Sequence, residues 1–314
     1  MAFTLYSLLQ NNKTDAFTGL IEDVTTYSPE ALTIPAFSRP GLTYKTVSRT
    51  SLMKPVFRGQ GQSIVNGTST YDSRAHEMFF LDAPMTVDDL IVRASDGTSG
   101  DILYNEAQGA LQAMFNTIGY QTWYGAPNDG SGGFVGVRTQ LLPTGSGIIP
   151  VTASAAANTT SVYGLWLDSK GVSYSVGNDG EFNVNPWQRM PVYSQDASGA
   201  LKSYWAWTSN VSTLIGLQIG SIQSVYAVTG VSNAAPMTDA LGIKLMAQVP
   251  GVRRTGFTFF MNRLAHGTLQ SSRLAIIYQP AGPSGELAVP QSPIAMEGHP
   301  IIITDNITNT ENNT

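Results

Sequence analysis

The chain of 314 residues contains no cysteine. That excludes disulfides, thiolate zinc sites, iron–sulfur clusters and cysteine nucleophiles, and it suits assembly in a reducing cytoplasm. Charge is also scarce. Asp, Glu, Lys and Arg make up 12% of the residues, about half of the ~25% of an ordinary soluble domain. A monomer of this size needs surface charge for solubility. A subunit that hides surface against neighbours does not, because interface cores are depleted of charge. The scarcity therefore points to an assembly. The charges present lean acidic, 17 Lys and Arg against 22 Asp and Glu, for a formal −5. A protein that neutralises phosphates shows the opposite balance. Tight contact with nucleic acid is not expected, although a local basic patch escapes a whole-chain count.

Signals for export and for the membrane are missing too. Met1 to Gln10 has no basic stretch and no clean apolar run, so it is not a signal peptide. No apolar run reaches the ~18 residues of a transmembrane helix. Two stretches carry no charge, Leu141 to Leu167 and Ser203 to Thr238. Both are rich in polar uncharged residues, too polar to span lipid, and they suit closely packed β structure.

Catalytic signatures are equally absent. The three histidines, His76, His266 and His299, sit in no motif. There is no nucleophile elbow and no zinc-protease helix motif. Gly130-Ser131-Gly132-Gly133 lacks the Lys-Ser/Thr ending of a phosphate loop. The adjacent Asp88 and Asp89 suit a metal less well than a helix N-terminus, where the macrodipole favours them. No catalytic residue, cofactor or metal is assigned. The five tryptophans either pack the core or form aromatic platforms that bind sugars or anchor interfaces. Trp205 and Trp207 are two apart and share one face of a strand.

What is present is patterned. Phe17, Leu20, Ile21 and Val24 predict a short helix over 15–27, stopped at Ser28-Pro29. Pro35, Pro40 and Gly41 then make an extended arm. Residues 43–87 read as a long hairpin: the β-prone Thr43 to Val47, Lys54-Pro55-Val56-Phe57-Arg58, a polar tip, a turn at Asn66-Gly67, and Met78 to Leu81 leading out. Such a hairpin has too little core of its own and must lie on something else. The clearest helix is 101–118. Ile102, Glu106, Ala110, Met114 and Ile118 step by four, Asp101 is placed as N-cap and Gly119 as C-cap. Gly109 in its interior predicts a close neighbour there. Residues 120–250 read mostly as strand, with a turn at Asn178-Asp179-Gly180. Residues 257–273 read as helix, and Pro300 to Asp305 as a buried strand. The class is α+β, β-rich.

Several segments together carry a resemblance. They are Lys54-Pro55-Val56-Phe57-Arg58 with its polar tip; the helix 101–118 followed by Trp123-Tyr124-Gly125 and Gly133-Phe134-Val135-Gly136-Val137; Asn158 to Trp166; Phe259-Phe260-Met261-Asn262-Arg263 with Leu269; and Pro300 to Ile307 with Glu311. In this order, over most of the chain, they resemble the major capsid proteins of tailed bacteriophages with the Hong Kong 97 fold, in particular a branch found in short-tailed phages. The resemblance implies an N-terminal arm at 1–42, an extended loop at 43–87, and a peripheral domain at 88–150 with the spine helix. It implies a mainly axial domain at 151–275 and a return to the peripheral domain with a tail at 276–314. It further implies self-assembly into hexamers and pentamers of an icosahedral head around double-stranded DNA, in the virion, after assembly in the host cytoplasm. Lys54, Phe57, Arg58, Gln60, Gln62, Asn66, Tyr71 and Arg74 are the expected assembly contacts. Expected partners are other copies of the chain, a scaffolding protein separate from it, a portal, a decoration protein, and packaged DNA by weak contact only. The rival readings are a β-rich receptor- or glycan-binding virion protein using the tryptophans, and a glycoside hydrolase, whose carboxylate pair a sequence cannot reveal.

Overall fold

The computed structural model describes residues 26, 28–64, 66–94, 99–126, 130, 132–141, 147–151, 158–177, 182–195, 199, 201–274 and 292–311. The helix expected over 15–27 and the turn expected at 178–180 lie outside them. After a one-turn helix, α1 (Glu30–Thr33), come β1 (Ala36–Ser38), β2 (Thr43–Ser51), β3 (Thr70–Glu77) and β4 (Phe79–Asp88). Three helices follow: α2 (Asp89–Ala94), α3 (Ser99–Tyr124) and α4 (Val137–Leu141). The middle of the chain is strand: β5 (Ile148–Pro150), β6 (Thr160–Trp166), β7 (Val172–Val176), β8 (Asn183–Val184), β9 (Gln188–Gln195), β10 (Leu201–Ile219) and β11 (Val225–Val231). The last part alternates: α5 (Asp239–Gln248), β12 (Phe257–Met261), α6 (Arg263–Leu274), β13 (Ala295–Met296) and β14 (His299–Ile303). The class is α+β and strand-rich.

Two six-stranded sheets take every described strand except β2 and β3. In one, the 19-residue β10 pairs with β4 along one edge and with β9, β8 and β7 in succession along the other, and β1 adds to β7. In the second the order is β13-β14-β12-β6-β11-β5. The charge-free stretch 203–238 is most of β10 and all of β11; the second half of β10 and β11 are largely buried, where polar but uncharged residues can sit in the ladder. β6, β7 and β12 are buried along almost every residue, so they carry no alternation for a sequence reading to find.

That explains one correction. Residues 257–273 are not a single helix. Phe257 to Met261 is a strand between β14 and β6, and the helix starts only at Arg263. A five-residue apolar run buried on both faces cannot be told from a helix turn by periodicity. The long helix also differs from its sequence reading. It runs from Ser99 to Tyr124, beyond both expected caps. Gly119 lies inside it, and a β-carbon there would collide with the Asn306 amide. Gly109, where close packing was expected, faces open space. The row Ile102, Ala110, Met114 and Ile118 does face inward. Ala110 and Met114 pack against Met85 and Val211 of the first sheet, and Ile118 joins a core with Trp123, Tyr163 and Phe260. Trp123 is wholly buried, with its ring 5.0 Å from Tyr163 and 5.3 Å from Phe260.

Candidate assembly surface

Among the described strands, β2 and β3 pair only with each other. Their register runs from Thr43–Glu77 to Ser51–Thr70, so the hairpin proper is 43–77. Residues 79–88, expected to belong to it, instead form β4 and pair with β10 over ten residues. The chain reverses at Gly59–Gln62, where the Gln62 amide donates to the Gly59 carbonyl and Gly61 takes φ +81°. The expected turn at Asn66-Gly67 is not where the chain turns. Glycine at 61 provides the left-handed geometry that the reversal requires.

Among the described residues the hairpin is anchored to the body at its base. Tyr44 is the anchor: its hydroxyl donates to Gln218 Oε1 at 2.7 Å and lies 2.5 Å from Ser175 Oγ. The Met78 amide donates to the Leu42 carbonyl at 2.8 Å and closes the neck. His76, opposite Tyr44 in the ladder, is buried with its Nε2 2.8 Å from Thr46 Oγ1 and its ring 5.3 Å from Tyr44. Burial, helped by the Arg74 charge, pushes the imidazole down to about 4, so His76 is neutral at physiological pH. A β-carbon at Gly216 would strike the Glu77 carbonyl, so the neck crosses β10 where that strand has no side chain.

Beyond the neck none of the described residues covers the loop. Leu52, Met53, Val56, Phe57 and Ile64 are all exposed, Phe57 completely. Lys54, Arg58, Gln60, Gln62 and Asn66 are exposed on the same tip. Tyr71 is exposed on β3 with Arg49 over its ring, and Arg74 is half-buried beside Asp72 at 3.6 Å. The structure thus gathers six of the eight expected contact residues on the tip and sets Tyr71 and Arg74 nearer the neck. The sequence reading missed Leu52, Met53 and Ile64, whose signal was apolar residues scattered in a polar, proline-containing stretch.

A second ribbon projects from β9 and the first half of β10. Tyr193, Leu201 and Trp205 are exposed there, and Arg189 lies over Trp205 at 4.8 Å. Trp207, on the same face as Trp205, turns into the body and donates to Asp89 at 3.1 Å. Asp89 also holds Arg93 and Arg189, each at 2.9 Å. Burial would raise this carboxyl, but Arg189, Arg93 and the Trp207 donor outweigh it and hold it below its ordinary range.

Two buried carboxylates, unforeseen as anchors, fix the frame that carries both ribbons. Glu30, at the start of α1, accepts from Trp123 Nε1 at 2.7 Å, from Asn306 Nδ2 at 3.0 Å and from the Thr304 hydroxyl. It joins the beginning of the described chain to the far end of α3 and to the segment after β14. Glu311 meets Arg138 at 2.8 Å and accepts from Tyr124 at 2.5 Å, from Tyr163 at 3.3 Å and from Ser161. Burial first, and the Glu311 charge second, push both tyrosine hydroxyls far up, so they stay donors at any physiological pH.

Residues 38–314 match a family model described as major capsid protein GP7. Among solved structures, a chain from bacteriophage Epsilon15 is similar over 98% of this chain and 96% of its own, with a TM-score of 0.71 at 15% identity. A chain from Mycobacterium phage Adephagia aligns over 67% of this chain and 94% of its own, with a TM-score of 0.49 at 10% identity. No curated protein matches. The likeness to the Epsilon15 chain is one of fold: the strand-rich α+β architecture of the Hong Kong 97 type.

Proposed function

The chain belongs to the family of major capsid proteins described as GP7, and from that premise we propose that it closes into hexamers and pentamers of an icosahedral head around double-stranded DNA. It is a structural protein of the virion capsid; the proposal adds how its shell is built and that it has no catalytic role.

The observation that carries the proposal is the hairpin 43–77, held by one neck and lined at its tip with apolar side chains in water. Soluble monomers rarely leave a contiguous apolar patch uncovered. A neighbour's surface can cover this one. Such a contact joins different patches on the two partners, so it closes into a ring where the rotation permits. Many weak contacts of this kind then add through multivalency. Lys54, Phe57, Arg58, Gln60, Gln62 and Asn66 are the tip's proposed contacts, with Tyr71 and Arg74 along its stem. Residues 1–42 act as the arm, 43–77 as the extended loop, and the sheet around β10, which takes in β4, with α3 as the peripheral domain. The sheet around β12, with α5 and α6, is the axial domain. A scaffolding protein and a portal are the further partners, a decoration protein is an optional one, and DNA touches the inner wall weakly. Expressed with its scaffold, the protein is expected to give closed shells tens of nanometres wide in negative-stain images; small oligomers under every assembly condition would sink the proposal.

Mature shells are expected to hold without covalent cross-links. Joining a lysine to a neighbour's asparagine needs a neutral amine, which requires burial, and a carboxylate to move the proton. Only Lys45 and Lys54 lie in the hairpin, both are exposed, and the stretch Gly59 to Tyr71 has no lysine. Boiling in SDS should give one band near 33.6 kDa. A ladder of multiples would contradict this.

A further inference from the structure

A cleft of about 800 Å³ runs beneath the base of the hairpin, between β2 and the turns around Lys170 and Arg253. Its charge is unlike that of the rest of the molecule. Six of the chain's 17 Lys and Arg line it, against one of its 22 carboxylates, Asp72. That leaves the remainder of the chain with 11 cations and 21 carboxylates, a formal −10. The cations come from segments far apart in sequence: Arg39 after β1, Arg74 on β3, Lys170 between β6 and β7, and Arg253 before β12.

Several are positioned without being neutralised. Arg39 lies over the Tyr44 ring at 5.4 Å, and its Nε is buried with no hydrogen-bond partner among the described residues. Arg253 lies over Trp166 at 5.2 Å and donates to Ser221 and Ser224, each at 3.4 Å. Aromatic faces and hydroxyls hold a guanidinium in place but leave its charge available. Among the described residues, Arg74 is the one of these side chains in an ion pair, with Asp72 at 3.6 Å. Like charges gathered this way repel one another unless an anion joins them.

We infer that this cleft receives an acidic segment of a second copy of the chain, so that the foot of the hairpin is a charged socket while its tip is an apolar hook. This rests on the shell proposal above and deepens it. Charge complementarity favours a second copy over DNA: outside these lining residues the chain holds 21 carboxylates against 11 cations, an acidic excess that attracts the cleft and repels phosphate. The cleft is also continuous with the hairpin that the shell proposal already places between subunits. Attraction of this kind steers docking and fixes register more than it adds affinity. It also weakens as salt shortens the screening length to about 8 Å near physiological strength.

The test is the pair Lys45→Glu and Lys170→Glu in the full chain, both at exposed positions. Lys45→Arg with Lys170→Arg serves as control, and a variant lacking the hairpin tip runs in parallel. Melting is checked first; should the Glu pair unfold the subunit, Lys45→Gln with Lys170→Gln replaces it. The Glu pair is expected to raise the protein concentration needed for shell formation by about tenfold at low salt. The difference should shrink as salt is added, and the Arg pair should behave as the parent. If the Glu pair assembles with the parent's concentration and salt dependence, the inference fails. Loss of DNA binding alone would mark the cleft as a nucleic-acid groove and equally overturn it. If the tipless variant fails to assemble while the Glu pair assembles normally, the shell proposal stands without the socket. If the tipless variant also assembles normally, both fail.

Discussion

Replacing Leu52 to Ser69 by a short Gly-Ser linker should leave the subunit folded and abolish shells. The replaced residues lie beyond the last ladder pair, Ser51–Thr70, and are exposed almost throughout. They contribute nothing to either buried core, and shortening a surface loop changes closure entropy by only ~1 kcal/mol. Melting should therefore stay near that of the parent. Assembly should not. If Phe57 alone acts as an anchor in a neighbour's pocket, its loss costs ~2 kcal/mol per contact, about 30-fold in affinity. Each subunit of a ring makes that contact, so the losses compound on closure. Sedimentation of assembly mixtures reads the effect directly. Particle yield equal to the parent's would show that the loop is decorative.

Glu311→Ala should act in the opposite way, on the subunit itself. Glu311 is buried, and its carboxylate serves Arg138, Tyr124, Tyr163 and Ser161 at once. Truncation takes the carboxylate from Arg138, whose side chain is only 16% exposed, and removes an acceptor from three hydroxyls. Removing one member of a buried ion pair costs ~3–5 kcal/mol. That is a large share of the ~5–15 kcal/mol that holds a domain folded. The same change also removes one of several links between the segment after β14 and the end of α3. The variant should melt well below the parent and yield little soluble subunit. Glu311→Ala combined with Arg138→Met should recover part of the loss, because the buried guanidinium that faced Glu311 is then removed with it. A single variant that melts like the parent would show that this cluster does not hold the frame.

The contrast between these variants matches what the sequence could and could not reveal. The long helix was legible because its contacts recur every four residues, and Ala110 and Met114 do face the first sheet. Its end was not legible. Gly119 reads as a stop locally, yet it continues the helix because Asn306, distant in sequence, needs the space. The hairpin was legible in outline, since β-prone runs flank a polar tip. Its lower boundary was not, because β4 continues the same strand character and only its pairing with β10 separates it. β12 was misread because a strand buried on both faces has no period to show. Glu30 and Glu311 gave no local signal at all. Each is a lone carboxylate whose partners lie far away in sequence, Trp123 and Thr304 for one, Arg138 and Tyr163 for the other. The basic cleft was hidden for the same reason: a whole-chain charge of −5 averages over cations that only the fold collects.

The most direct measurement is a cryo-electron microscopy map of the shells that the protein forms. It should show the hairpin 43–77 leaving its own subunit at the Tyr44 neck and lying across the adjacent one, with Phe57 in an apolar pocket there. A map in which the hairpin folds back on its own body, or in which the tip stands in solvent between subunits, would contradict the proposal that this loop builds the shell.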